Sequence, residues 1–406
     1  MLFSSSPPCG LKQLHFLTRR PHAVPSRISP ASPPPLSTFI HPRHRTIRQS
    51  APPTSRILQF PLRFSTHPSL AASPAMPQST AKQKKPIAVP RPSASILLVS
   101  PTNEVLLLHR VQTSSSFPSA HVFPGGNCEA YHDGDIPAPE DPGRHIDGPV
   151  YRWAGIRECF EESGILLARR EGETGLATID EEAREKARKE IHNGQRKFGD
   201  VLKEWGVSAD LDNLIPFTRW ITPTNMPKRF TTQMYLYFMP LPPAATEGLP
   251  LDTEAVIPVP TSDGGIEHQA ARFLPAAAWV EQARAGDIIL FPPQFFLLHL
   301  VARHLGGASD GSRETLQRQR DELSAFVREG GWGDKCVSPS MSAKRKSDGR
   351  IMLGLDKPGP ELERSGREGI RDYVILVDFR KEGPRNVEVR LRSEVLAEER
   401  ARTEKL

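Results

Sequence analysis

The fold of this chain is decided by Phe123-Pro124-Gly125-Gly126 and, 31 residues after Gly126, by Arg157-Glu158-Cys159-Phe160-Glu161-Glu162-Ser163-Gly164-Ile165. On a helix, Glu158, Glu161 and Glu162 share one face, because residues at i, i+3 and i+4 lie about 5 to 6 Å apart. Like charges repel at that distance, so the cluster needs a cation. Carboxylate oxygens suit Mg²⁺ or Mn²⁺, which complete their shells with water and substrate phosphates. The pattern therefore predicts metal-assisted attack on a phosphate.

A second interpretation treats the three glutamates as an ordinary solvated helix face. Most Glu-rich helices are of that kind. Three neighbouring features favour the metal site here: the arginine before the first glutamate, the glycine and apolar residue that end the helix, and the glycine pair upstream. No one of them is specific, but together they define an ordered motif.

The motif resembles the Nudix box. Its helical half, from Arg157 to Ile165, matches at every defined position. An insertion separates it from Gly125-Gly126. The glutamate that the family carries upstream of the arginine would fall at Pro149, and Glu129 and Asp147 are both open as its replacement.

The resemblance implies an α/β fold: a Nudix αβα sandwich with a mixed sheet. It also implies a Mg²⁺ or Mn²⁺ cofactor held by Glu158, Glu161 and Glu162, with help from the backbone carbonyl of Gly125. Arg157 would hold the carboxylates, chiefly through Glu161 one turn further on. The general base would be one of these glutamates or a second acid from a later loop, for which Glu267 is the candidate.

Further segments resemble one branch of the family, the branch of the acyl-coenzyme A diphosphatases. They are His121 to Gly126, the split box, Trp220 to Pro223, Lys228-Arg229-Phe230 and Pro292-Pro293-Gln294. This resemblance implies hydrolysis of coenzyme A or its acyl esters to 3',5'-ADP and an (acyl-)4'-phosphopantetheine. Two alternatives stay open. One is a Nudix hydrolase of a nucleotide sugar, ADP-ribose, a dinucleoside polyphosphate or an RNA cap; the other is a non-catalytic nucleotide-binding protein.

Candidate substrate residues follow from chemistry alone. Arg110, Lys228 and Arg229 suit phosphate contacts, which arginine makes with two parallel hydrogen bonds. Phe123 is a candidate for stacking on adenine. Each has an ordinary alternative, as a surface cation or a core aromatic.

The charge of the chain is unevenly placed. The net charge is +6, yet no Asp or Glu precedes Glu104, and 13 of the 53 Lys and Arg lie before it. The remainder carries 40 basic against 47 acidic residues, which argues against a nucleic-acid partner. Residues 1–87 form a basic leader rich in Pro and Ser that we expect to be disordered. Its Arg-rich, acid-free start predicts a mitochondrial transit peptide, with a peroxisomal or cytoplasmic location as the alternatives.

Three regions follow from the pattern of the chain. Residues 88–305 are predicted to be the Nudix domain, beginning with a hairpin around Pro101-Thr102-Asn103. It carries insertions at 127–149, expected as an irregular surface excursion, and at about 172–210, expected as a charged, solvated helix. Residues 306–406 are predicted to be a C-terminal α+β extension, partly disordered around Lys344-Arg345-Lys346. No apolar run is long enough to span a membrane.

Overall fold

This computed structural model describes residues 86–112, 119–241, 260–261, 268–306 and 311–404. All of them belong to one compact unit, residues 81–406. Apart from residues 86 and 87, the predicted leader lies outside the described residues, and so does Glu267.

A mixed sheet forms the centre of the molecule. The strands are β1 (Arg91–Val99), β2 (Val105–Arg110), β3 (His121–Val122), β4 (Gly125–Asn127), β5 (Ala168–Arg169), β6 (Ser208–Ala209), β7 (Ile215–Ile221), β8 (Phe230–Phe238), β9 (His268–Leu274), β10 (Cys336–Val337), β11 (Ser340–Lys344), β12 (Ile351–Leu355), β13 (Ile370–Arg380) and β14 (Gly383–Leu391). The main sheet runs β10-β7-β8-β1-β2-β3, with β4 paired to β1 and β9 to β2. β1 is parallel to β8 and antiparallel to β2 and β4. The predicted mixed sheet and its opening hairpin are confirmed.

Helices cover both faces of this sheet. They are α1 (Ala130–Asp133), α2 (Pro149–Ser163), α3 (Glu181–His192), α4 (Phe198–Glu204), α5 (Ala276–Ala285), α6 (Pro292–Leu305), α7 (Arg313–Glu329) and α8 (Arg392–Thr403). Short 3-10 turns occupy Pro142–His145, Leu211–Asn213, Trp332–Asp334 and Pro360–Leu362. None of the helices in the described residues is long and apolar enough to cross a bilayer.

The alternation of β1 explains the layers. Successive side chains of a strand point to opposite faces. Ile96 and Leu98 enter the core on the side of α2, whereas Leu97 and Val99 enter the core on the side of α5 and α6. Gly155 faces Ile96, and a Cβ there would lie 3.4 Å from that side chain, which shows that α2 packs directly on β1. The sheet is thus packed on both faces, as the αβα prediction requires.

The C-terminal residues continue the same core. The second sheet runs β11-β12-β13-β14, and its inner residues Leu353, Ile375 and Val389 share one apolar cluster with Leu97 of the main sheet. α8 covers its other face through Val395. The layers therefore run α2, main sheet, α5 and α6, second sheet, α8. β10 also adds a parallel strand to β7, so this region is built into the Nudix core and does not stand beside it.

The prediction of disorder around Lys344-Arg345-Lys346 is wrong. Lys344 ends β11, where it pairs with Ile351 of β12. Arg345 is held by Glu398 of α8 at 2.6 Å and by Asp348 at 2.8 Å. Arg345 is thus paired with one acidic residue three positions on and with another 53 positions on, and the local composition does not show the second.

Candidate active site

Helix α2 carries the predicted glutamates against strand β4. Pro149 occupies the first turn, where a missing N–H costs nothing. Gly164 ends the helix in the left-handed region, with φ of 73°, and its N–H donates to the carbonyl of Phe160. The glutamates therefore lie in the last two turns of a well-defined helix.

The glycine pair lets β4 lie directly against those carboxylates. The N–H of Gly125 donates to Oε2 of Glu162 at 2.7 Å. A Cβ on Gly125 would lie 2.3 Å from the carbonyl oxygen of Ala94, and one on Gly126 would lie 2.5 Å from the carboxyl carbon of Glu158. Gly125 has no room for a larger residue, because the backbone of Ala94 lies in the way, whereas a larger residue at Gly126 would displace the carboxylate of Glu158.

Arg157 organises the cluster from within. Its side chain is 2% exposed, and it donates to Oε1 of Glu161 at 2.8 Å, as the sequence predicts, and lies 3.1 Å from Oε1 of Glu158. It also donates to the carbonyl of Asn127 at 2.8 Å. Burial lowers the pKa of Arg157, but the surrounding carboxylates outweigh burial, and the net shift is upward. The guanidinium therefore stays charged and ties two glutamates to β4.

Asp133 completes this arrangement, and the sequence did not identify it. Nε and Nη2 of Arg157 each donate to one carboxylate oxygen of Asp133 at 2.9 Å. The side chain of Asp133 is fully buried. Of the two alternatives for the missing glutamate, Glu129 meets Asp133 through its backbone, since its N–H donates to the carboxylate of Asp133 and its carbonyl accepts from the N–H of Asp133. The carboxylate of Asp147 is bonded to Arg152.

The insertion is accordingly more than a surface excursion. It forms α1 and a 3-10 turn, and it buries Asp133, Arg144 and His145. Asp133 is the carboxylate of this insertion that reaches Arg157. A search of the insertion for any carboxylate able to reach Arg157 would have included Asp133.

In the protein without a bound cation, the ionised form of Glu158 is disfavoured. Burial is the main cause that raises the pKa of Glu158 to about 8, with Glu161 and Asp133 adding to the shift and Arg157 opposing it. The side chain of Glu158 is 13% exposed and that of Glu161 is 9% exposed. One arginine does not satisfy three glutamates and an aspartate, so the cluster favours a further cation.

The family model for the NUDT19 Nudix domain matches residues 142–300. This range holds Arg157 and all three glutamates. The chain carries a Nudix domain. The predicted resemblance to the Nudix family is confirmed, and the matching model is that of its NUDT19 branch. Gly125, Gly126 and Asp133 precede the matched range and join this site through the contacts described above.

Named relatives share this Nudix domain. A Caenorhabditis elegans protein provisionally named nudix hydrolase 7 is 31% identical over 209 residues, which are 51% of this chain and 59% of the relative. The acyl-coenzyme A diphosphatase NUDT19 of Xenopus laevis is 26% identical over 238 residues, 48% of this chain and 58% of that protein. A solved Nudix hydrolase from Alicyclobacillus acidocaldarius is 22% identical, with 52% of this chain and 90% of that chain covered and a TM-score of 0.39. The chain thus spans about 60% of the length of the curated relatives it matches.

The Nudix carboxylates fit a divalent cation that shares its shell with water and substrate. In the described part of the chain, no group of three or more His, Cys, Asp or Glu side chains is arranged to hold a metal ion by itself. Mg²⁺ does not require such a group, because it keeps several waters and is bound through one or two carboxylates plus substrate phosphates. The all-oxygen donors and the raised pKa of Glu158 fit this mode.

Two histidines that the sequence analysis missed flank the Nudix glutamates. Nδ1 of His192, in the last turn of α3, lies 3.5 Å from Oε2 of Glu161. Nε2 of His268, at the start of β9, lies 3.5 Å from Oε1 of Glu162. His268 is fully buried, whereas the His192 side chain is 41% exposed. Neither residue belongs to a local motif, so only the fold brings them to the site.

The three residues predicted to contact phosphate lie in different environments. Arg110 is paired with His268 across β2 and β9, which places it at the same sheet edge as the glutamates. Lys228 is exposed in the turn between β7 and β8. Arg229 does not fit the prediction: it is buried and donates to the carbonyls of Thr222 and Ala88 and to Glu361. Its guanidinium joins the Nudix sheet to the C-terminal region.

Phe123 does not fit its predicted role either. It is 2% exposed and packs in the core between the main sheet and α5 and α6, away from any surface on which adenine could stack. Cys159, expected in the core, is fully buried. Glu267 lies outside the described residues, so its role stays a prediction.

Proposed function

We propose that this protein is a metal-dependent Nudix pyrophosphohydrolase that cleaves the diphosphate of coenzyme A or acyl-coenzyme A. The products would be 3',5'-ADP and (acyl-)4'-phosphopantetheine. The observation that carries the proposal is the buried cluster in which Arg157 joins Asp133 to Glu158 and Glu161 beside the glycine pair. Carboxylates gathered around one buried cation, with the pKa of Glu158 raised, are typical of a site and unusual in a solvated helix.

The side chains divide the work between them. Glu158, Glu161 and Glu162 would hold Mg²⁺ or Mn²⁺, with the carbonyl of Gly125 as a further ligand. When bound, the cation would polarise the diphosphate oxygens and lower the pKa of a coordinated water. Arg157 and Asp133 keep the carboxylates in place, as neighbours of metal ligands commonly do. One of the glutamates, or Glu267, would accept the proton from the attacking water.

The substrate class is supported by two observations. The Xenopus laevis and Gallus gallus relatives are named acyl-coenzyme A diphosphatases. Arg110 is paired across β2 and β9 with His268, whose imidazole lies 3.5 Å from Glu162, and its guanidinium would suit the phosphates of coenzyme A. We expect Arg110→Met to raise KM more than it lowers kcat.

Product analysis tests the proposal. The full chain would be incubated with Mg²⁺ or Mn²⁺ and, separately, coenzyme A, acetyl-coenzyme A, ADP-ribose, a nucleotide sugar and a capped RNA, with chromatography of the products. We expect 3',5'-ADP from the two coenzyme A substrates at the highest kcat/KM. Glu161→Gln protein serves as the control for contaminating hydrolases.

Two other results would change the proposal. Cleavage of another substrate with coenzyme A untouched would keep the Nudix chemistry and reject the substrate. No metal-dependent cleavage of any substrate would favour a non-catalytic nucleotide-binding protein.

We also propose a mitochondrial location. Its support is the acid-free, Arg-containing composition of residues 1–87. A fluorescent protein fused after residue 87 should accumulate in mitochondria. A diffuse or peroxisomal signal would contradict this.

A further inference from the structure

The C-terminal end of α2 is held by two segments outside the Nudix motif. The last carbonyls of a helix have no partner within it. Here the carbonyl of Glu161 accepts from Nε and Nη2 of Arg188 in α3, at 3.2 and 2.8 Å. The carbonyl of Ser163 accepts from the N–H of Thr261 at 3.0 Å. Both partners therefore bind the turn that presents Glu161 and Glu162.

Arg188 is itself fixed on several sides. Its side chain is 5% exposed, and Nη1 lies 2.9 Å from Oε2 of Glu185. The same Nη1 donates to Oγ1 of Thr261 at 2.7 Å. One guanidinium thus connects α3, the end of α2 and residues 260–261. The charged helix α3 was predicted to be solvated surface, but one of its faces packs against α2.

The contact between Arg188 and the end of α2 leaves no room for a side chain at Gly164, whose backbone conformation also favours glycine. A Cβ at Gly164 would lie 2.8 Å from Oγ1 of Thr261 and 3.2 Å from Nη1 of Arg188. With its φ of 73°, glycine ends the helix and also leaves space for Arg188 to reach the carbonyl of Glu161. The packing of Arg188 on the helix end is therefore close and specific.

Electrostatics give Arg188 a role beyond filling space. The C-terminus of a helix carries a partial negative charge, so acidic residues in the last turn are disfavoured and cations there are favoured. Glu161 and Glu162 lie in that turn, and Arg188 places a buried positive charge on it. His192, one turn after Arg188, approaches the carboxylate of Glu161. α3 thus contacts both the carbonyl and the carboxylate of one candidate metal ligand.

We propose that Arg188 is a positioning residue for the cation site. It fixes the backbone of Glu161 and, through Thr261, ties residues 260–261 to the same helix end. This inference rests on the proposed function, because the positioned groups are the proposed metal ligands. Arg188 contacts no ligand carboxylate in the cluster directly, so it acts through the backbone of Glu161 and not as a catalytic group.

Mn²⁺ binding to the full chain, followed by electron paramagnetic resonance, tests this role without requiring turnover. Arg188→Met should weaken Mn²⁺ binding by about 10- to 100-fold, the usual cost of losing a residue that supports metal ligands. Arg188→Lys keeps the charge but not the forked hydrogen bonds, so it should recover part of the loss. In turnover assays kcat should fall more than KM rises.

Arg320→Met is the matched control. Arg320 is also buried, and it donates to Asn103 and to the carbonyls of Met239 and Ser100. It does not touch α2, so its loss should lower stability and leave Mn²⁺ binding unchanged. Thr261→Val is the milder variant: it keeps the backbone bonds of residue 261 to Ser163 and to Nη2 of Arg188. It removes the hydroxyl, which accepts from Nη1 of Arg188 and donates to Glu185. It should weaken Mn²⁺ binding in the same direction but less.

Each other outcome has a defined meaning. Wild-type Mn²⁺ affinity in Arg188→Met, or in folded Thr261→Val if the first variant does not fold, overturns the inference alone. Equal weakening in Arg320→Met overturns it too, because the loss would then reflect general destabilisation. Wild-type protein that binds no Mn²⁺ would overturn the proposed function together with this inference.

Discussion

The insertion at residues 127–149 places a buried carboxylate against Arg157, whereas residues 311–404 place apolar side chains beneath the main sheet. Asp133 in the insertion receives two hydrogen bonds from Arg157. Leu353 and Val389 in the C-terminal region share the core of α5 and α6. Both segments are additions to the Nudix domain, and each is held against that domain by the side chains that it buries there.

A segment that buries a carboxylate and a segment that buries apolar residues should have different roles. A buried carboxylate costs free energy unless it is paired, so its position is tied to the charge it meets. Buried apolar residues stabilise in proportion to area, with little dependence on any one partner. Charge changes in the insertion should therefore alter the site, and apolar changes in the C-terminal region should alter stability.

The largest expected effect is at the helix that the insertion supports. Glu161→Gln removes the charge that Arg157 and a cation would share, while it keeps the shape of the side chain. Turnover should fall by orders of magnitude, with the circular dichroism spectrum unchanged. A near-wild-type kcat in this variant would contradict the assignment of the site.

Asp133→Asn should follow in size. It leaves Arg157 with one fewer carboxylate, so the glutamates lose part of their support, and we expect kcat/KM to fall by about 10- to 100-fold. The control is Asp141→Asn, which changes an exposed carboxylate of the same insertion that bonds only to the N–H of Gly143. Equal activity of the two variants would show that the insertion is only a surface excursion.

The raised pKa of Glu158 predicts a pH dependence of metal binding. A proton on Glu158 competes with the cation, so Mn²⁺ affinity should fall by roughly tenfold for each pH unit below about 8. Titrations of Mn²⁺ at pH 6, 7 and 8 measure this slope. Glu158→Gln removes the proton site, so its weaker binding should vary less with pH.

The raised pKa of Glu158 also predicts that the metal-free protein becomes less stable as pH rises, whereas metal binding becomes tighter. The pKa is raised from its ordinary value of 4.5 to about 8, so between these pH values Glu158 is ionised in the unfolded chain and still protonated in the folded protein. The contribution of Glu158 to stability should fall as pH rises through this window. Thermal unfolding with and without Mn²⁺ should then show a larger metal effect at pH 8 than at pH 6. A metal effect independent of pH would contradict the shift.

The smallest effect on activity is expected in the C-terminal region. Leu353→Ala, in β12, should cost about 2 to 5 kcal/mol of stability because it leaves a cavity in the shared core. Its kcat at temperatures where the protein is folded should match the wild type. A lower kcat in the folded variant would give the C-terminal region a part in the site.

Local patterns predicted much of the fold. The spacing of the glutamates located α2 and the bond between Arg157 and Glu161, and the turn at Pro101-Thr102-Asn103 located the hairpin of β1 and β2. Each of these rests on residues within about one or two turns, or on the alternation of a single strand. The family followed from the same short motif.

Long-range contacts account for what the sequence analysis missed. Asp133 reaches Arg157 from 24 residues away, and His268 reaches Glu162 only because β9 pairs with β2. The sequence predicted a phosphate contact for Arg229, but this residue binds Glu361, which lies 132 residues further on. Phe123 was an aromatic next to the motif, and only the packing of α5 and α6 shows it to be core.

The most direct test of the central claim is the anomalous diffraction of crystals soaked in Mn²⁺. The claim is that the glutamates of α2, held by Arg157 and Asp133, bind a divalent cation beside the glycine pair. It predicts an anomalous peak within about 2.5 Å of carboxylate oxygens from Glu158, Glu161 or Glu162. A Mn²⁺ peak elsewhere, with these carboxylates still bonded only to protein, would contradict it.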